Sequence, residues 1–293
     1  MKLSEKTKKI AGILKYPVTI LILIIVLSKI DLGKVSGIVT ELKPGFLSAL
    51  VIISLLKIFL QYTNWSMFLK LNPESRLTFS QKITSFFVGI SFRMISPGGV
   101  GVYGRMLYLP IGKKDSFLAI TYEKMIQGWC IIFLGSLASS LYFTELSFWF
   151  KFIIPLLALS LPFIILLIFP LKKKYYSYFQ QYRLTLIPAL VIQIATNLLT
   201  IFQYMIFLSN YTEFRFLDAF KSVPLVQAGN LLPITISGLG IREYLAVQVY
   251  PGLGISAELA VSCSLIVFSL SNLLPAFAGI IFLLFKRNIE KTK

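Results

Sequence analysis

Apolar runs of about 20 or more residues recur along the whole sequence, and a helical run of that length matches the roughly 30 Å hydrocarbon core of a bilayer. Backbone polar groups inside hydrocarbon need partners from the protein itself, so such runs are expected to be helices. The chain is therefore expected to be an all-α polytopic membrane protein. Its composition agrees: 56% of residues are hydrophobic and only 14% are charged, with a mean hydropathy of +0.79, against about 25% charged in a soluble domain. No interval between the runs accommodates a soluble domain, which makes residues 1–293 one transmembrane domain.

Two interruptions share a grammar. Leu232-Pro233-Ile234-Thr235-Ile236-Ser237-Gly238-Leu239-Gly240-Ile241-Arg242-Glu243 is a polar, Gly-rich break carrying a charge pair. Earlier, Ile95-Ser96-Pro97-Gly98-Gly99-Val100-Gly101-Val102-Tyr103-Gly104-Arg105 has the same order of Pro, small residues, Gly-x-Gly and a following Arg. The offset from Gly101 to Gly240 is about half of the 293 residues, as a duplicated architecture would produce.

Charge sets the expected topology. Residues 1–15 hold Lys2, Lys6, Lys8, Lys9 and Lys15 against the single acid Glu5, which favours a cytoplasmic start before an uncleaved first helix at 16–30. Further spans are expected at 46–69, 116–143, 148–169, 184–208 and 257–285, six in all. The stretch 171–183, with Lys172, Lys173, Lys174 and Arg183 and no acid, and the basic tail mark the cytoplasmic side. Segment 77–96 is too polar to face lipid all round, and the run after Pro97 is too short to cross, so each broken segment reads as a re-entrant hairpin. Helix, hairpin and helix then occur twice, at 46–143 and 184–285, and the linking helix 148–169 inverts the second copy. The alternative lets each polar segment cross fully, giving eight or more spans.

A helix that starts after a Gly-rich break presents N–H groups without intrahelical partners, under a dipole that favours negative charge. Ser237, Gly238 and Gly240 precede such a start, and Arg242 adds a permanently charged donor fork. Arg93 and Arg105, with Pro97, Gly98, Gly99 and Gly101, would approach from the other hairpin. Together they point to an anion site, with phosphate the chemistry that fits best. The competing reading pairs Arg242 with Glu243 or Glu123 and leaves the glycines to close packing. Glu123 and Lys124 read as a solvated pair at the cytoplasmic end of their helix, with gating or coupling as the alternative. Glu243 is the acid placed to couple a proton or sodium ion.

Several functions are excluded. The chain has no histidine, which removes His-dependent catalysis and the common His metal sites. Cys130 and Cys263 both fall in apolar runs, so neither a disulfide framework nor a Cys-based zinc site is expected. The net charge of +17 sits in short clusters beside apolar runs, which fits anionic lipid rather than nucleic acid. Gly99-Val100-Gly101-Val102-Tyr103-Gly104 matches a dinucleotide fingerprint formally, but its flanks are membrane helix instead of a strand, and Lys113-Lys114 stand downstream. No cofactor or metal is expected.

The two motifs resemble the signature of the lysylphosphatidylglycerol synthase transmembrane-region family, also called flippase-like domain proteins, and the resemblance covers nearly the whole chain. In two-domain members the membrane part is implicated in moving aminoacylated phospholipid between leaflets, and a soluble domain performs the aminoacyl transfer. The chain stops eight residues after Phe285, so that soluble domain is expected to be missing. The resemblance implies a flippase or transporter for an anionic phospholipid or a polyprenyl-phosphate-linked lipid in the cell membrane, not an enzyme. Its alternatives are a lipid-linked glycosyltransferase, whose carboxylates would come from Asp31, Glu41, Glu145, Glu213 and Asp218, or a partner of a separate lipid-modifying enzyme.

Overall fold

A computed structural model of the chain describes residues 33, 37, 38, 40–69, 77–96, 99–168, 176–232, 235 and 237–291. The expected first span at 16–30, the lysines of 172–174, and Pro97 and Gly98 lie outside the described residues. Among the described residues the protein is helical throughout, with no strand. The α-helices among these residues are α1 (Pro44–Leu69), α2 (Phe79–Ile95), α3 (Lys113–Tyr142), α4 (Phe148–Ile168), α5 (Tyr176–Ser209), α6 (Phe216–Gln227), α7 (Ile241–Val249), α8 (Ala257–Phe268) and α9 (Leu274–Lys291).

Among the described residues four stretches are long and apolar enough to cross a membrane by length and composition: Pro44–Leu69, Lys113–Tyr142, Arg183–Ser209 and Ala257–Leu284. Helix α4, Phe148–Ile168, is 21 residues long and apolar apart from Lys151 and Ser160. The outward faces are apolar, with Ile52, Leu55 and Phe59 on α1, Leu156 on α4 and Phe277 on α9 all exposed. In a soluble protein such faces would be buried; here they are the surface a bilayer covers. Helix ends carry polar caps. The Thr78 hydroxyl accepts from the Gln81 N–H while the Gln81 side chain accepts from the Thr78 N–H, a reciprocal box that starts α2.

Both broken segments double back. After α2 the chain enters a nine-residue 3-10 run, Val100–Tyr108, packed antiparallel on α2. Gly89 lies under Arg105, and Phe92 lies under Gly101 and Gly104. A Cβ at Gly89 would stand 2.8 Å from Arg105 Cδ, and one at Gly101 would strike the Phe92 carbonyl. The glycines of the first motif therefore make room for a backbone returning along its own helix. In the second segment α6 runs into a short 3-10 turn, Ala228–Leu231. There Gly229 packs under Ile241 and Leu245 of α7, and Gly238 under Asn230. At a rise of 1.5 Å per residue, α6 and α7 are about 18 and 14 Å long, too short to cross.

The helices exchange partners between halves. The first arm of the first segment, α2, packs on α9, and the first arm of the second segment, α6, packs on α3. Each seam contains a glycine: Gly279 lies against the Phe87 carbonyl, and a Cβ added at Gly135 would stand 3.8 Å from the Pro224 carbonyl. The Ser91 hydroxyl closes the α2–α9 seam by donating to the Ala276 carbonyl at 2.6 Å. Long α1 and α5 pack on one another between the seams. Two apolar clusters result, one around Trp65, Phe86 and Ile120 and the other around Tyr204, Phe207 and Tyr250.

Helices α8 and α9 are continuous through a π-helical turn, Ser269–Leu273. A π turn inserts one residue into the helical repeat and weakens the local i to i−4 bonding. This one lies inside an apolar span and holds three polar residues, Ser269, Ser271 and Asn272.

Candidate functional site: a buried cationic cluster between the two breaks

The breaks adopt the backbone that their glycines predict. Gly99, Gly238 and Gly240 have φ of 70°, 76° and 87°, and Ser237 joins them at 52°. A non-glycine residue there is strained, and Ser237 recovers part of the cost through its hydroxyl, which donates to the Arg93 carbonyl at 3.2 Å. That bond joins residues 144 positions apart. It brings the second break against the end of α2.

The charged side chains then sort into pairs and remainders. Arg105, 2% exposed, forms an ion pair with Glu123, 4% exposed. Its guanidinium lies 3.4 Å from the Trp65 ring centroid, a cation–π contact on a ring whose own Nε1 donates to the Ser85 hydroxyl. The second Glu123 oxygen accepts from Gln127 at 3.2 Å. Glu123 is thus not the solvated partner of Lys124. It is buried and belongs to Arg105, while Lys124 donates to Gln127 at 2.7 Å. Neighbours in sequence diverge by about 100° around a helix, and Gln127, one turn on, bridges the two by accepting from Lys124 and donating to Glu123.

Glu243 is 1% exposed. One oxygen accepts from the Gly240 N–H at 2.6 Å and the other from the Ser264 hydroxyl at 2.7 Å. The carboxylate therefore caps the start of α7, a place expected to welcome a substrate phosphate. Arg242, 4% exposed, lies over the Phe268 ring at 4.3 Å. Its Nη2 stands 3.7 Å from Glu243, and neither Nε nor Nη2 makes a hydrogen bond. The expectation that Arg242 pairs with Glu243 is met only as a long ion pair. Arg93 donates to the Asn272 side chain, and its Nε has no partner.

Lys57 was legible only as a polar interruption of its run, and the structure makes it part of the cluster. It lies midway along α1, 4% exposed, and donates to Gln203 at 2.6 Å and to Ser271 at 3.0 Å. Gln203 in turn donates to the Ser54 hydroxyl at 2.6 Å. The Lys57 and Arg242 charges act on one another, as do those of Arg93 and Arg242. The sequence signal was present, since an ionisable residue at the centre of a span is a functional candidate by default.

Of the other expected residues, Gly99, Gly101, Ser237, Gly238 and Gly240 shape the two breaks as described. The carboxylates proposed for an enzyme are dispersed: Glu41, Glu145 and Glu213 are exposed, and Asp218 accepts from the Arg215 N–H at the start of α6. Among the described residues no group of acids and cysteines is arranged to hold a metal ion.

Helical architecture, lipid-facing apolar surface and a cation-rich interior define a helical membrane protein with a polar core. The chain belongs to the lysylphosphatidylglycerol synthase TM region family, whose model matches residues 11–279. That family ties it to lipid metabolism or transport. A comparison with curated proteins found no match.

Proposed function

We propose that this protein moves an anionic lipid, a phospholipid or a polyprenyl-phosphate-linked lipid, between leaflets by alternating access. The headgroup docks between Arg93 and Arg242, beside Arg105, whose charge Glu123 already meets, while the acyl chains remain in the bilayer. The observation that carries this reading is the meeting of the two breaks: Ser237 bonds to Arg93, and cations from both segments share one field. Buried cations without matching acids are costly, and an anionic headgroup supplies the missing charge.

The exchanged packing of α2 on α9 and α6 on α3 supports an inverted repeat with both broken segments re-entrant. In such an arrangement one half rocks against the other around a fixed central site. The basic stretches favour a cytoplasmic side for both termini, in a plasma membrane.

The test is the accessibility of fluorescent anionic lipid headgroups in proteoliposomes. Wild-type protein is expected to expose inner-leaflet lipid, and Arg242→Gln and Arg93→Gln are each expected to slow this by at least about tenfold, the equivalent of one charge-assisted hydrogen bond. Movement no faster than in protein-free vesicles, across both lipid classes, would sink the proposal.

A further inference from the structure

Three cations from three different helices converge on five consecutive residues of the α8–α9 helix. Arg242, from α7, stacks on Phe268. Lys57, from α1, donates to Ser271. Arg93, from α2, donates to Asn272. Phe268 immediately precedes the π turn, and Ser271 and Asn272 belong to it. In a regular α-helix consecutive side chains point about 100° apart, and the π turn is where this helix offers two neighbouring polar side chains to two cations on different elements.

None of the three cations has a hydrogen-bonded carboxylate among the described residues. Lys57 and Arg93 are held by neutral oxygens, and Arg242 carries two buried donor nitrogens without an acceptor. The acid beside Arg242 is Glu243, whose two oxygens already serve Gly240 and Ser264, and the acid that acts on Arg93 is Glu123, already bonded to Arg105 and Gln127. Arg105 and Glu123 form a closed pair and add nothing to the balance. Lys57, Arg93 and Arg242 set against Glu243 leave two positive charges in excess, and Lys124, whose charge opposes those of Arg93 and Arg105, adds to that excess.

We infer that the π turn of Ser269–Leu273 is the floor of an anion site whose third cation is Lys57, and that its ligand is a phosphomonoester or diphosphate headgroup. The charge decides the class. A phosphomonoester carries about 1.5 to 2 negative charges at neutral pH and matches the excess. A phosphodiester such as phosphatidylglycerol carries one and leaves a buried cation unmatched. A lysyl-bearing headgroup is net positive and would meet repulsion. Lys57 supplies a compact ammonium and the two arginines planar forks, so a terminal phosphoryl group with three free oxygens can be approached from three sides.

The inference deepens the transport reading and rests on it only for the ligand being carried; binding is a separate measurement. Thermal unfolding of the full chain in detergent would be followed with farnesyl diphosphate, dioctanoyl phosphatidic acid, dioctanoyl phosphatidylglycerol and inorganic pyrophosphate. The first two are expected to stabilise the protein with an apparent affinity at least about tenfold tighter than phosphatidylglycerol. Lys57→Met is expected to erase most of that preference.

Stabilisation by pyrophosphate equal to that by farnesyl diphosphate supports recognition of the phosphoryl groups alone; a weaker effect supports a lipid-borne ligand of the same chemistry. Equal affinity for phosphatidic acid and phosphatidylglycerol, or no shift with any of the four, overturns the inference. Because the comparison of headgroups is made on wild-type protein, it decides the matter even if Lys57→Met does not fold. Binding with the expected preference in a protein that moves no lipid overturns the transport reading alone. Movement of phosphatidylglycerol as fast as phosphatidic acid overturns this one.

Discussion

Arg105 and Glu123 show how a buried charge is tolerated when an opposite charge meets it directly, even with Arg105 Nε left without an acceptor. The carboxylate takes Arg105 and Gln127, and the guanidinium rests on Trp65. Removing one partner leaves the other charged and unmatched, which typically costs about 3–5 kcal/mol, whereas replacing both by apolar groups of similar size is close to neutral. Glu123→Gln is therefore expected to lower the thermal unfolding midpoint in detergent sharply, and Arg105→Met with Glu123→Leu to recover most of the loss. An unchanged midpoint in Glu123→Gln would show that the pair does not hold the first broken segment in place. The partner of Glu123 could not be read from the sequence, because Lys124 is adjacent in the chain and Arg105 is adjacent in space. Lys57 was hidden for a related reason: Gln203 and Ser271 lie 146 and 214 residues away.

At the scale of elements the breaks were legible and the π turn was not. Glycines at 99, 238 and 240 announce backbone that other residues avoid, and those positions do carry positive φ. A π turn has no such mark; it follows from which side chains a helix must present to its neighbours. Helix α5 also begins earlier than the expected span at 184–208, because its first turns, from Tyr176, are polar. Glycines in seams and glycines in open space should respond differently to a methyl group. Gly279→Ala drives a Cβ into the Phe87 carbonyl and the Ser91 hydroxyl, so a loss of about 1–3 kcal/mol is expected from overpacking. Gly45→Ala, in the first turn of α1 with nothing within 4 Å, should be neutral or stabilising by up to about 1 kcal/mol. Equal midpoints for the two variants would argue against tight packing of α2 on α9.

For the whole molecule, the decisive feature is that each half borrows its cover from the other. If both broken segments are re-entrant, single cysteines at Thr78 and Lys113 will react with an impermeant maleimide from one side of the membrane, and cysteines at Glu213 and Ser256 from the other. All four positions are exposed, and the native Cys130 and Cys263 are buried, which keeps background labelling low. Labelling of Thr78 and Lys113 from opposite sides would replace the hairpin by a full crossing. The exchange also bears on how the protein is made. About 180 residues separate the end of α2 from the start of α9, which ribosomes cover in roughly 10–40 s. For that interval the first broken segment, with Arg93 and Arg105, lacks the helix that packs on it, and a temporary companion at the insertion site is expected to cover it.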